Sequence, residues 1–326
     1  MTTKQRARRA AIGPGRVLAL AMLFAATAPA AQAACQYKQL GVIPAAWDDH
    51  RLMIAGSVNN APMKMVIDTG TPWTTLSHTV AMRLDVPLAA TTAVWQGPGG
   101  ETSAQEAKLK ELSVGRFQWF DAFVVVGWQA EGGFDVRVGA NVLLQHDTEF
   151  DSQRIVFFAP AGCDDTALGY WADDVPWLPT ATVSTSDLRT IVTLQVNGQP
   201  VRALIDSSSP TSMLDVATAR RLGAALDDAP PPDGAADGHA AAVSVARVDA
   251  IAIGPEVVRH ARVQVGDLLR ETAAKGAWAG QGSVEPPAMI LGADFLQSHR
   301  VLFATSQHRL YFSYLGGEVF SAPPRH

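Results

Sequence analysis

Cysteine is scarce in this chain, with only Cys35 and Cys163 among 326 residues. Long apolar runs are missing too. The best, Val17 to Ala26, is about half of the ~20 residues that a membrane-spanning helix needs. Basic charge is outnumbered, 26 Lys and Arg against 31 Asp and Glu. With no basic stripe either, a nucleic-acid partner is disfavoured. No Gly-x-Ser-x-Gly elbow occurs, so serine hydrolysis of that kind is unsupported. Gly97-Pro98-Gly99-Gly100 is followed by Glu101 and not by a Lys or Ser/Thr that opens a helix, so it is no phosphate loop. Asp48-Asp49-His50 has no second set of ligands spaced to join it; neither a metal nor any other cofactor is expected.

What is present begins with a leader pattern. Lys4, Arg6, Arg8, Arg9 and Arg16 form a basic start, Val17 to Ala26 an apolar stretch, and Ala31-Gln32-Ala33 places small residues where cleavage would fall. Residues 1–33 therefore read as a cleavable secretory signal, which predicts a periplasmic or secreted protein with no stable membrane anchor. Arg8-Arg9 raises twin-arginine export beside the general route, although the residues after the pair fit it poorly. A lipoprotein start at Cys35 is disfavoured by Gln32, which stands where an apolar residue is expected. Removal of the leader takes away five basic residues and no acid, leaving 21 against 31 and a net charge of −10.

The remainder is globular in composition: 48% apolar and 17% charged, with 27 Gly and 20 Pro, as suits a turn-rich β protein. Its length allows one large or two ordinary domains. The organising stretch is Met65-Val-Ile-Asp68-Thr69-Gly70-Thr-Pro72-Trp73-Thr-Thr-Leu76, an apolar strand running into Asp-Thr-Gly. Three such residues alone signal little. A second copy, Ala203-Leu-Ile-Asp206-Ser207-Ser208-Ser209-Pro210, lies 138 positions on, and the same offset matches Asn59 with Asn197, Pro62 with Pro200 and Pro72 with Pro210. It also matches Leu76 with Leu214 and Arg83-Leu84 with Arg221-Leu222. Identities at one constant offset over about two dozen residues mark an internal duplication.

Each copy predicts the same order of elements. Residues 50–58 and 62–67 form a hairpin around Asn59-Asn60; residues 190–196 and 200–205 form one around Asn197-Gly198. Short helices follow at Thr79 to Leu84 and at Asp215 to Leu222. A looser stretch comes next, Val94 to Glu101 in one copy and the low-complexity Asp227 to Ala242 in the other. Two strands around Gly115 or Gly254 lead to Val136-Arg-Val-Gly139 or Met289-Ile-Leu-Gly292, and a final hairpin closes each copy. The predicted division is a first lobe over 34–160, a linker over 161–187 rich in Asp, Pro, Thr and Ser, a second lobe over 188–316, and a frayed tail over 317–326. His146 and His299 match each other after a buried-looking Leu and read as satisfied structural histidines. Cys35 and Cys163 bracket the first copy, and an even count in an exported protein reads as a disulfide. Closing that loop would contribute about 4–5 kcal/mol in the chain-entropy picture. The other reading is two buried thiols.

Taken together, the strand into Asp-Thr-Gly, the glycine-rich stretch and the later Leu291-Gly292-Ala293-Asp294-Phe295-Leu296 resemble the aspartic peptidases, and more narrowly the bacterial retropepsin-like domains. The resemblance covers most of the chain after the leader, once in each half. It implies an all-β, bilobal, pepsin-like fold of two barrel lobes, and a cofactor-free monomer acting on peptide or protein substrates. It makes Asp68 and Asp206 the catalytic pair, with Thr69 and Ser207 bracing the two loops and Gly70 approaching the substrate backbone. It makes Trp95, Gln96 and Gly97 part of a flap, with apolar subsites near Trp73 and Trp95. Asp294 matches a family position, but Asn141 replaces it in the first copy, so it reads as structural. The departure is Ser208, where the pattern has Gly: a side chain enters a crowded cleft. Three outcomes stay open. The chain is an endopeptidase that tolerates Ser208, or a peptide-binding scaffold that has kept the cleft without the chemistry, or a homodimer whose first lobes build the pair.

Overall fold

The computed structural model describes residues 35–48, 50–97, 100–128, 133–164, 166–227, 244–268 and 286–320. The described chain is mostly strand with a few short helices, arranged around two closed six-stranded barrels. The first barrel runs, neighbour to neighbour, Arg51–Val58, Ala61–Ile67, Val136–Val138, Thr75–Ser77, Phe117–Trp128 and Gly100–Val114. It closes where Gly56 and Val58 pair with Val114 and Leu112. The second runs Thr190–Val196, Gln199–Ile205, Met289–Leu291, Met213–Asp215, Glu256–Gly266 and Ser244–Ile253, and closes where Gln195 and Val196 pair with Ala252 and Ile251. Parallel and antiparallel pairings follow the same order in both, so the duplicated sequence builds a duplicated topology. The all-β bilobal class is as expected.

Local chemistry explains the shared parts. Asn59 and Asn60 have φ of 48° and 67°, and Asn197 and Gly198 have 51° and 74°. Two consecutive left-handed residues are what a tight hairpin with the strand twist demands, and Asn and Gly tolerate them best. Each turn asparagine also ties its hairpin to the closing strand. Asn59 Oδ1 accepts from Glu111 N at 3.1 Å, and Asn197 Oδ1 accepts from Asp249 N at 2.8 Å. The helix His78–Arg83 starts at Ser77, whose Oγ accepts from Val80 N, and Val216–Arg221 starts at Asp215, whose Oδ2 accepts from Thr218 N. Ile67, Leu76 and Val138 of one barrel and Ile205, Leu214 and Leu291 of the other are buried in one continuous apolar core.

A third layer joins the halves. Gln36–Pro44, Arg154–Ala161, Asp147–Phe150, His299–Ala304, Arg309–Tyr314 and Trp177–Thr182 lie side by side in one sheet. Asp147–Phe150 from the first half pairs with His299–Ala304 from the second. Trp177–Thr182 sits within the stretch read as linker and pairs on both edges, with Arg309–Tyr314 and with Thr190–Val196. Buried Glu149 accepts from Arg300 across this sheet at 2.8 Å, and Trp171 stacks on the same guanidinium at 4.5 Å. The expected disulfide is present, joining Cys35 to Cys163 beside the first two strands of that sheet. His299 is buried between Phe295 O and Glu256, as expected, but His146 is exposed and structural pairing does not hold it. It lies one residue ahead of the sheet strand, in an exposed bend.

Candidate active site

Asp68 and Asp206 each sit at the end of the second strand of their barrel. Their backbone N–H groups donate to Val138 O (3.0 Å) and Leu291 O (2.9 Å), so the short Val136–Val138 and Met289–Leu291 strands hold each aspartate in place. The residues after them lock the two barrels together by a reciprocal set of bonds. Thr69 Oγ1 donates to Ile205 O (2.9 Å) and accepts from Ser207 N (3.0 Å). Ser207 Oγ donates to Ile67 O (2.8 Å) and accepts from Thr69 N (3.1 Å). Contacts in which each residue repeats what its partner does are the mark of a twofold axis. All four groups are buried, so losing one hydroxyl would orphan a donor and an acceptor together.

Gly70 lies between the carboxyls. Its N–H donates to Asp68 Oδ1 (3.1 Å), and a Cβ placed on it would come within 2.2 Å of Asp206 Cγ. The glycine is thus needed for close approach and not for a left-handed φ, since Gly70 is not among the positive-φ glycines. Ser208 does not crowd the cleft as its extra side chain suggested. It keeps a negative φ, and its N–H (2.9 Å) and Oγ (2.8 Å) both donate to Asp206 Oδ1, with Ser209 N at 3.3 Å. The extra side chain is turned onto the aspartate as a hydrogen-bond donor.

Two glycines, Gly139 and Gly292, let the chain cross tightly behind each aspartate loop. A Cβ on Gly139 would meet Trp73 C at 2.5 Å, and one on Gly292 would meet Thr211 C at 2.6 Å. Next to them Asn141 Oδ1 accepts from Thr74 N (2.7 Å) and Oγ1 (2.9 Å), while Asp294 Oδ1 accepts from Ser212 N (2.9 Å) and Oγ (2.7 Å). One position therefore does one bracing job with an amide in the first half and a carboxyl in the second. Burial pushes the Asp294 carboxyl up from the ordinary aspartate range, and the Ser212 donors pull it part of the way back.

Trp73 flanks the aspartate loop with 46% of its surface exposed. The backbone of Trp95, Gln96 and Gly97 lies in a hairpin arm, Leu88–Gly97, paired with Thr102, Glu101 and Gly100. The hairpin tip at residues 98–99 and the corresponding stretch 228–243 of the second half lie outside the described residues. Among the described residues, no three His, Cys, Asp or Glu side chains converge as a metal site would require.

One site residue was missed. Arg137 Nη1 lies 3.2 Å from Asp68 Oδ2, with the two side chains 15% and 5% exposed. The signal was available: Arg137 interrupts an apolar triplet, Val136-Arg137-Val138, where the second half has Met289-Ile290-Leu291.

The family profile described as aspartyl protease matches this chain twice, over residues 54–142 and 192–295, one match in each barrel half. No curated protein matches it. Solved structures similar to it include the retropepsin-like aspartic protease from Rickettsia conorii, at 21% identity over 39% of this chain and 95% of that one, with a TM-score of 0.31. The aspartic proteinase from Irpex lacteus is 13% identical over 84% of this chain and 97% of that one, with a TM-score of 0.49. The protein edgp is 12% identical over 84% and 94%, with a TM-score of 0.48. With both halves matched and an Asp at the head of each bracing loop, this chain belongs to the aspartyl protease family.

Proposed function

We propose that the chain is an exported endopeptidase that hydrolyses peptide bonds with a water activated between Asp68 and Asp206. The observation that carries this is Gly70, which bonds one carboxylate and leaves no room for even a Cβ beside the other. Two carboxyls set against one glycine would share a single proton, because like charges brought close together cannot both ionise. The ionised one takes a proton from water, and the water oxygen bonds to the carbonyl carbon. The protonated one gives its proton to the carbonyl oxygen, forming a neutral gem-diol. Collapse of that diol breaks the C–N bond as the amide nitrogen is protonated, releasing acid and amine. Both aspartates come from one chain, so a monomer suffices. The leader at residues 1–33 supports export to the periplasm or beyond.

A second reading, a cleft that binds peptides without cutting them, is favoured by one feature: Arg137 already occupies Asp68 Oδ2. A digest of a diverse peptide mixture between about pH 3.5 and 7 separates the two, since that range spans the titration of such a pair. Cleavage that disappears in both Asp68→Asn and Asp206→Asn supports the peptidase. Loss with Asp68→Asn alone supports a pair built by two first lobes of a dimer. Peptide binding with no cleavage supports the scaffold.

A further inference from the structure

The two walls of the cleft differ where the two halves should match. Val136–Val138 runs parallel to Ala61–Ile67 and antiparallel to Thr75–Ser77, which puts Arg137 beside Val66 and Thr75. The same place in the other barrel puts Ile290 beside Leu204 and Met213. The Arg137 guanidinium is held from two sides. Its Nη1 is 3.2 Å from Asp68 Oδ2, and its Cζ lies 5.1 Å from the centre of the Phe134 ring. The pair is largely out of water, so salt and solvent screen it little. Among the described residues, charged groups near Asp68 include Arg137, from the adjoining strand, and Asp206, across Gly70; Arg51 lies 5.8 Å from the same Phe134 ring. On Asp206 the donors are all neutral: Ser208 N, Ser208 Oγ and Ser209 N, every one of them on Oδ1.

From this asymmetry we infer that Arg137 is a positioning residue that keeps Asp68 ionised, making Asp68 the base and leaving the shared proton on Asp206. This assignment rests on the peptidase reading above and deepens it by dividing the two roles. The Arg137 charge favours the anion on the Asp68 oxygen it meets, whereas the three donors to Asp206 all sit on Oδ1 and leave Oδ2 to carry a proton. The one proton therefore settles on the carboxyl that lacks the cation. Water gives its proton to Asp68, and Asp206 gives the shared proton to the carbonyl oxygen.

The test is the pH profile of kcat/KM for the wild type, Arg137→Gln and Arg137→Lys, with Asp206→Asn as the inactive control. Without the cation Asp68 holds its proton more tightly, so the acid limb of Arg137→Gln moves to higher pH, by roughly one to three units. Arg137→Lys returns it most of the way. An acid limb that stays in place, whatever its height, overturns the assignment, because lost packing lowers turnover alike at every pH. A gain in activity at all pH values with no shift also overturns it and makes Arg137 a plug. If the wild type cleaves nothing, the peptidase reading fails separately, and carboxyl carbon NMR of Asp68 still decides: titration at a higher pH in Arg137→Gln supports the cation's hold, and titration at the same pH overturns it.

Discussion

Asp294 shows how a single buried carboxyl reports its surroundings. It holds Ser212 through two bonds from backbone and hydroxyl, as Asn141 holds Thr74 in the other half. Burial raises its proton affinity above that of the unfolded chain. Between the ordinary aspartate value and the raised one, the folded state binds more proton than the unfolded state, so stability falls as pH rises through that window. Asp294→Asn removes this slope while keeping the acceptor that Asn141 shows to be enough. The expected outcome is a variant whose melting temperature at neutral pH is no lower than that of the wild type and changes less between acid and neutral pH. Thermal melts across that range, read by circular dichroism, check it.

At the scale of elements, the site depends on two strand ends meeting correctly. Neither Ala61–Ile67 nor Gln199–Ile205 fixes the distance between its aspartate and the other one. The Thr69–Ser207 exchange does, because each hydroxyl reaches the backbone carbonyl ahead of the opposite aspartate. Thr69→Val keeps the shape and removes the oxygen, leaving Ser207 N and Ile205 O buried without that partner. The cost is about 1–3 kcal/mol of stability. In a urea titration Thr69→Val, Ser207→Ala and the double variant should be non-additive by at least ~0.5 kcal/mol, the signature of directly coupled groups. Peptidase activity should fall in each single variant by more than the loss of folded protein explains, since the carboxyls are no longer held at one separation.

Across the whole molecule, the sheet shared by both halves carries a charge pair that neither half could satisfy alone. Glu149 comes from the first half and is fully buried; Arg300 comes from the second and is clamped by Trp171 and Tyr170. Arg300→Met leaves a buried carboxylate without its cation and should cost about 3–5 kcal/mol. Adding Glu149→Gln should recover most of that, because the penalty lies in the orphaned charge and not in the missing bridge. Chemical denaturation of the two variants distinguishes these outcomes, and a double variant as unstable as the single one would count against the pair as the cause.

Much of this architecture is written locally in the chain. The repeated Asn turns need two left-handed residues in a row, the alternating apolar strands need a barrel to bury them, and one constant offset places an aspartate at equivalent points in two halves. Those features are periodic or contiguous, so the sequence by itself determined the all-β duplicated fold and the residues that head each loop. What the sequence left undecided depends on partners far away along the chain. Trp177–Thr182 is a strand because edges from residues 190–196 and 309–314 receive it, although its composition reads as linker. Ser208 is a donor to Asp206 and not an intruder in the cleft because of the backbone path it takes. Arg137 meets Asp68 only because a strand 69 residues later is laid parallel to the one that carries the aspartate. Periodicity and turn chemistry are properties of neighbours in sequence, whereas the charge beside a carboxylate is decided by which strands the closed barrel brings together.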